Sequence, residues 1–143
     1  MGGAGKGVQM KYKKRFEASG VPKIEDFSGR YAVRLVMPVV PDIRFFGHFK
    51  FVPDLGAGER GWNSFWGGIR LGAFRMERGK SSLDGLEVVK IIYDDPSNPF
   101  FLKVLTDEVR EERPGFYFCR GVFDVAGKPV IGMYFTMEKL KDS

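Results

Sequence analysis

Hydrophobic and polar residues alternate along most of the chain after Gly29 with a period of two, which is typical of β-strands whose successive side chains point to opposite faces. Residues that favour turns, mainly Gly, Pro, Asn and Asp, separate the alternating segments. The pattern predicts about eight strands. The clearest of them are Arg30–Met37, Arg44–Val52, Gly61–Gly67, Ile69–Glu77, Leu86–Asp94, Phe116–Val125 and Val130–Glu138.

Two segments carry apolar residues at helical spacing instead. The first covers residues 9–18, where polar and basic side chains surround Met10, Tyr12 and Phe16. The second is Phe100–Glu112, which a Pro-Gly pair follows closely. Its apolar positions are Phe101, Leu102, Leu105 and Val109. The sequence therefore predicts a basic N-terminal helix or arm and one short helix inserted late between strands.

Short turns between successive strands favour an antiparallel, up-and-down barrel, because closing the sheet removes its exposed edges. The length of 143 residues suits one domain, with residues 1–23 as a basic N-terminal arm and residues 24–143 as the barrel. A barrel of about eight strands has room for packed side chains or for one small ligand. A β-sandwich built from the same strands is the alternative.

The positive charge is concentrated near the N-terminus. Residues 1–30 carry seven basic and three acidic side chains, which accounts for four of the five net positive charges of the chain. A nucleic-acid-binding domain usually carries its basic surface on the folded body, whereas the remaining residues here have a net charge of only +1. This distribution argues against nucleic acid as a partner.

Composition also excludes several kinds of site. Cys119 is the only cysteine and His48 the only histidine, so the sequence predicts no disulfide, no metal site and no cofactor. The segment Gly56–Gly61 spells the dinucleotide-binding pattern G-x-G-x-x-G, but it lacks the strand before it and the helix after it that hold a pyrophosphate. No stretch resembles a signal peptide or a membrane-spanning helix, which favours a cytoplasmic protein without membrane contact.

Two short sets of residues resemble known proteins. The segment Phe27-Ser28-Gly29-Arg30-Tyr31 resembles the Phe-x-Gly-x-Trp motif that opens the first strand of lipocalin-type (calycin) barrels, with a tyrosine at the tryptophan position. The segments Phe46–Phe51, Tyr93-Asp94, Thr106–Glu111 and Pro114–Tyr117 together resemble a set of small uncharacterised bacterial proteins, which have a lysine at the position of His48. The resemblance implies a lipocalin-like barrel and no particular reaction.

Aromatic residues make up 15% of the chain and come from separate predicted strands. This favours a mostly apolar pocket with a few fixed polar groups inside the barrel. We therefore expect a monomer or homodimer that binds a small hydrophobic or aromatic molecule. The predicted ligand contacts are His48, Trp62, Trp66, Tyr93, Asp107, Arg110 and Tyr134.

The two tryptophans are expected to form the wall of this pocket, and Arg110 is expected to orient a ligand carboxylate at its mouth. One alternative is a small isomerase, cyclase or decarboxylase that uses His48 or Asp107 as the base and Arg110 or a tyrosine as its partner. Haem ligation through His48 and nucleic-acid binding through the basic arm are further alternatives.

Overall fold

The computed structural model describes the backbone of residues 2–38, 48–52, 61–64 and 70–141, and the side chains of residues 9–36, 61–63 and 72–141. Each strand of the described chain pairs antiparallel with the next, and the last pairs with the first, so that the sheet closes into a barrel. The strands are β1 Gly29–Pro38, β2 His48–Val52, β3 Gly61–Ser64, β4 Arg70–Lys80, β5 Glu87–Ile92, β6 Leu105–Arg113, β7 Phe116–Val125 and β8 Lys128–Lys139. The prediction of a mostly β, antiparallel barrel fold is confirmed.

One longer helix and two short helical elements accompany the strands in the described residues. Helix α1 spans Gly2–Ala18, a 3-10 turn spans Ile24–Asp26 just before β1, and α2 is a single turn at Phe100–Lys103. Helix α1 therefore begins earlier than the segment 9–18 that the sequence predicts. Within the described part of the chain, no helix is long and apolar enough to cross a membrane.

The predicted helix Phe100–Glu112 is wrong over most of its length, because Leu105–Arg113 forms strand β6. Leu105 and Val109 are four residues apart, a separation that places two side chains on one face of a helix and also on one face of a strand. The spacing therefore does not distinguish the two structures. Pairing with β5 and with β7 outweighs the helical preference of the Glu and Arg residues in this segment.

Some predictions fall on residues outside those that the structure describes. These are the strand residues 44–47 and 65–67, which include Trp66, and residues 56–60 of the glycine-rich segment. For His48 the structure describes only the backbone, which lies at the start of β2 and pairs with Val33.

Between β5 and β8, side chains are buried on both the inner and the outer face of the barrel wall. On β6, Leu105 and Val109 belong to the interior core, and Asp107 between them faces inward as well. Glu108 and Arg110 face outward but are also buried, because α1 covers the outside of the wall at this point. The polarity pattern of this region therefore does not match the simple rule of one apolar and one solvated face.

Aromatic rings fill the interior at one end of the barrel, where the 3-10 turn leads into the start of β1. The ring of Phe27 lies 4.7 Å from that of Tyr117 and 5.9 Å from that of Tyr31, between ring centroids. All three side chains are buried, and the Tyr31 hydroxyl accepts a hydrogen bond from the backbone N–H of Ser28 at 3.0 Å. We call this end of the barrel the closed end.

The opposite end carries the β5–β6 connection with α2 and the turn between β7 and β8, and we call it the α2 end. The Leu102 side chain packs against the interior core here. The backbone N–H of Asp124 donates to the carbonyl of Val104 at 2.8 Å, which joins the connection to the end of β7. Phe100 and Phe101, on the same single turn of helix, are exposed to solvent.

Candidate ligand site inside the barrel

Two polar side chains lie together in the apolar interior near the α2 end. The Tyr93 hydroxyl donates a hydrogen bond to Oδ2 of Asp107 at 2.6 Å, and the two residues are 2% and 3% exposed. Tyr93 directly follows β5, and Asp107 lies on β6 opposite Ile91, two residues before Tyr93. The antiparallel register therefore makes them diagonal neighbours on the inner face. We call them the Tyr93–Asp107 pair.

Two asparagines hold this pair in place. The Asn98 side chain donates to the carbonyls of Ala73 at 2.7 Å and Tyr93 at 3.0 Å and accepts from the Ala73 N–H at 3.1 Å, which fixes the end of β5 to β4. The buried Asn63 side chain of β3 donates to the Gly72 carbonyl at 3.1 Å and also hydrogen-bonds the Tyr93 hydroxyl. These contacts reduce the freedom of the Tyr93 ring inside the barrel.

Burial raises the pKa of Tyr93 well above its ordinary value, and the negative charge of Asp107 raises it further. The hydrogen bond from Asn63 opposes this increase without reversing it. Tyr93 therefore keeps its proton throughout the physiological pH range. In this site it acts as a neutral hydrogen-bond donor to Asp107 and does not act as a base.

The wall beside the pair carries a small residue. Gly121 on β7 lies directly across from Asp107, and a Cβ atom added there would overlap the sulfur of Met133. Cys119, one inward position along β7, is buried in the interior core. The interior near Asp107 is thus lined by a glycine, a cysteine and a flexible methionine, in contrast to the stacked rings at the closed end.

Gly72 determines how closely β3 and β4 approach the site. Its φ is +68°, and an added Cβ atom would lie 2.7 Å from Nδ2 of Asn63. Replacing Gly72 with Ala is therefore expected to lower the free energy of unfolding by about 1–3 kcal/mol. Urea-induced unfolding measures the change.

Gly85 provides the matched control, because its φ is +76° and an added Cβ would meet nothing within 4 Å. Gly85→Ala reports the cost of the backbone conformation alone. A loss for Gly72→Ala no larger than that for Gly85→Ala would contradict the role of Gly72 in making room for Asn63.

A second buried polar cluster lies on the outer face of the wall, beneath α1. Arg120 on β7 donates to Oε1 of Glu108 on β6 at 2.8 Å, and each side chain is 1% exposed. Arg120 also donates to the Ser81 hydroxyl at 2.9 Å and forms an ion pair with Asp84 at 3.0 Å. The ring of Phe16 from α1 lies over the guanidinium, 4.1 Å from it. These groups satisfy one another, which identifies the cluster as part of the contact between α1 and the barrel.

The structure places two of the predicted ligand contacts, Arg110 and Tyr134, on the outer face of the barrel wall. Arg110 faces outward and donates to the carbonyls of Ser19 and Glu87, so it holds the end of α1 and does not reach the interior. Tyr134 also faces outward, where its ring stacks on Phe118 at 5.8 Å between centroids. Both placements have the same cause: the pairing register of β6 and β8 turns these positions away from the inner face.

Of the other predicted contacts, Tyr93 and Asp107 are the two that the structure brings together. Trp62 is partly exposed on β3, next to Asn63, and its role as a wall of the pocket stays a prediction. Sequence reasoning missed Asn63, Asn98 and the pairing of Glu108 with Arg120. The available signal was a charged residue, Arg120, between the apolar residues Phe116–Cys119 and Gly121–Phe123.

No protein-family model, curated protein or solved structure matches this chain. Within the described ranges, no three carboxylate, thiol or imidazole side chains are grouped as metal ligands would be. Inferences about function therefore depend on the geometry and electrostatics of the barrel interior.

Proposed function

We propose that the barrel binds a small, largely apolar or aromatic molecule in its interior, near the α2 end. The Tyr93–Asp107 pair is the observation that carries this proposal. A carboxylate is costly to remove from water, and the flanking inward positions of β6 are the apolar residues Leu105 and Val109. Stability alone favours an apolar residue at position 107 as well, whereas contact with a ligand accounts for a carboxylate there.

The difference between the two ends supports the same location. The closed end contains three packed aromatic rings, while the wall near Asp107 carries Gly121 and the flexible side chain of Met133. A ligand displaces a methionine side chain at lower cost than a cluster of rings, because methionine has several accessible rotamers. Leu102 on α2 packs against this part of the interior. In the proposal, it is the first side chain that an entering ligand contacts.

The start of β1 supports the finer part of the proposal, a lipocalin-like binding barrel. Phe27 and Gly29 of the lipocalin-like motif lie where β1 begins, and the Phe27 ring helps to fill the closed end. In this proposal, the motif closes one end of the barrel and leaves the α2 end for the ligand.

The binding test uses a neutral fluorescent dye whose emission depends on the polarity of its surroundings, such as Nile red. We expect saturable binding at about one dye per chain, and we expect Tyr93→Phe to weaken it by about tenfold where the dye contacts the hydroxyl network. Thr106→Val is the matched control, because Thr106 neighbours Asp107 on β6 but lies on the opposite face of the strand.

Two results contradict the proposal. One is no saturable binding by a folded protein up to high micromolar dye. The other is an equal loss of affinity in Tyr93→Phe and Thr106→Val, which places the dye away from the Tyr93–Asp107 pair. Circular dichroism of each variant establishes that it is folded before binding is measured.

A further inference from the structure

From the exposed apolar side chains at the α2 end we infer that this end of the barrel docks on the surface of a lipid bilayer, with Phe100 and Phe101 inserted among the headgroups. The inference goes beyond the proposed function, which concerns the interior. It departs from the sequence prediction of no membrane contact, which rests on the absence of a segment long enough to cross a bilayer. Contact with the surface of a bilayer requires no such segment.

Apolar side chains are exposed on two neighbouring segments of the α2 end. Phe100 is 79% exposed and Phe101 is 55% exposed, and both lie on the single turn of α2. On the β7–β8 hairpin, Val125 is 55% exposed and Val130 is 39% exposed. A backbone hydrogen bond joins this hairpin to the residue that follows α2. We call these four residues the apolar rim. A group of exposed apolar side chains at one place is typical of a surface that contacts lipid or another macromolecule.

The apolar rim continues into the interior of the barrel. On α2, Leu102 follows the two exposed phenylalanines and packs against the interior core. On the hairpin, Phe123 packs against the same core, and Val130 lies opposite it in the register of β7 and β8. Opposite residues of an antiparallel pair point to the same face of the sheet, so Val130 lies at the mouth of the interior. An apolar molecule that leaves a bilayer at this end therefore contacts apolar side chains as far as the core.

The lysines beside the rim suit a surface that carries phosphate. Lys103 ends α2 and Lys128 begins β8, and both side chains are exposed. A lysine next to an inserted apolar residue lays its alkyl chain along the apolar layer while its ammonium group contacts lipid phosphate. The acidic side chain of the same hairpin, Asp124, accepts a hydrogen bond from the Gly127 N–H at 2.8 Å, which holds it within the turn. Anionic lipid should therefore strengthen the attachment.

A bilayer suits this end better than a second copy of the chain. A two-fold dimer brings the same surface of each copy together, so that Lys103 and Lys128 of the two copies meet beside an apolar contact. The two phenylalanines also expose only on the order of 250 Å², whereas each partner in a stable protein interface buries about 800 Å². Attachment to a bilayer has no such minimum, because its strength rises with each apolar side chain that is inserted.

The experiment measures co-sedimentation of the full-length protein with vesicles of phosphatidylcholine, alone or mixed with phosphatidylglycerol. We expect binding to both, at least about fivefold tighter to the anionic mixture. The double variant Phe100→Ser with Phe101→Ser should bind both kinds of vesicle at least about tenfold more weakly. Met10→Ser is the matched control, because Met10 is 52% exposed but lies on α1, and it should change binding by less than about twofold.

The lysines are tested in a second pair of variants. Lys103→Gln with Lys128→Gln should lower the affinity for the anionic vesicles by about fivefold or more, and should change the affinity for phosphatidylcholine by less than about twofold. Lys13→Gln with Lys14→Gln removes two exposed lysines of α1 instead. This control should leave both affinities unchanged.

Several results overturn the inference. They are no vesicle binding by the folded protein, equal binding by the double phenylalanine variant, and an equal loss in the two lysine variants, which places the attachment at α1. Analytical ultracentrifugation without vesicles tests the second copy: a dimer that needs the phenylalanines, together with no vesicle binding, assigns the rim to self-association. Where the double phenylalanine variant does not fold by circular dichroism, Phe100→Ser alone decides the question. Nile red binding to the interior is measured without vesicles, so the proposed function and this inference fail separately.

Discussion

Replacing Arg120 with Met is expected to lower the free energy of unfolding by about 3–5 kcal/mol, the usual cost of leaving a buried charge without its partner. Glu108 and Arg120 are each 1% exposed, and their side chains are joined at 2.8 Å. Methionine retains part of the volume beneath Phe16 but removes the cation that neutralises Glu108. Urea-induced unfolding followed by circular dichroism measures the loss, provided that the slope of the transition is unchanged.

Arg75 is the matched control for this prediction. It also contacts two carboxylates, those of Asp94 and Glu77, but its side chain is 38% exposed. Arg75→Met should therefore cost less than about 1 kcal/mol. The double variant Glu108→Leu with Arg120→Met should recover most of the stability that Arg120→Met loses, because an apolar pair of similar volume replaces a buried ion pair at little cost. A loss for Arg120→Met as small as that for Arg75→Met would contradict the buried ion pair.

Phe16→Ala is the second large effect that we expect, with a loss of about 3–5 kcal/mol. Phe16 is fully buried between α1 and the wall of the barrel, where it packs with Val88, Phe118 and Tyr134. Its removal leaves a cavity over the Arg120 guanidinium and weakens the attachment of α1. Thermal and urea unfolding of the variant measure the change.

Met10, on the same helix, is the control for Phe16. It is 52% exposed, and methionine and alanine have similar helix propensities, so Met10→Ala should change the stability by less than about 0.5 kcal/mol. If Phe16→Ala costs as little as Met10→Ala, then α1 does not contribute to the stability of the barrel. That result would agree with the prediction, made from charge and hydropathy, that residues 1–23 form a separate N-terminal arm.

The contacts at the end of α1 give a physical reason to expect the larger loss. The Arg15 guanidinium binds the Glu112 carboxylate through two hydrogen bonds of 2.6 and 2.8 Å, and Gly20 pairs with Glu111 through the backbone. Arg110 binds the Ser19 carbonyl at the same place. Three successive residues of β6 thus hold the end of the helix. The charge of the N-terminal segment is typical of a solvated arm. The second half of this segment nevertheless packs against the barrel.

The sequence by itself determined the fold class, because the period-two alternation and the turn residues depend only on local backbone geometry. It also gave Tyr93 and Asp107 as candidate ligand contacts. The two residues are 14 positions apart, and the sequence predicts Tyr93 on a strand and Asp107 on a helix. It did not distinguish a helix from a strand at Leu105–Arg113, since a separation of four residues fits one face of either structure.

The tertiary structure alone decided which side of the wall each residue faces. Asp107, Glu108 and Arg110 are neighbours on one strand and all are buried, yet the first faces the interior while the other two lie toward α1. Burial on one face usually shows as an apolar face opposite a polar one, but here α1 covers the outer face of the same strands. With both faces covered, polarity does not identify the interior. The interior is identified by the register of β5, β6 and β7 and by the position of α1, because these fix which neighbours satisfy each buried charge.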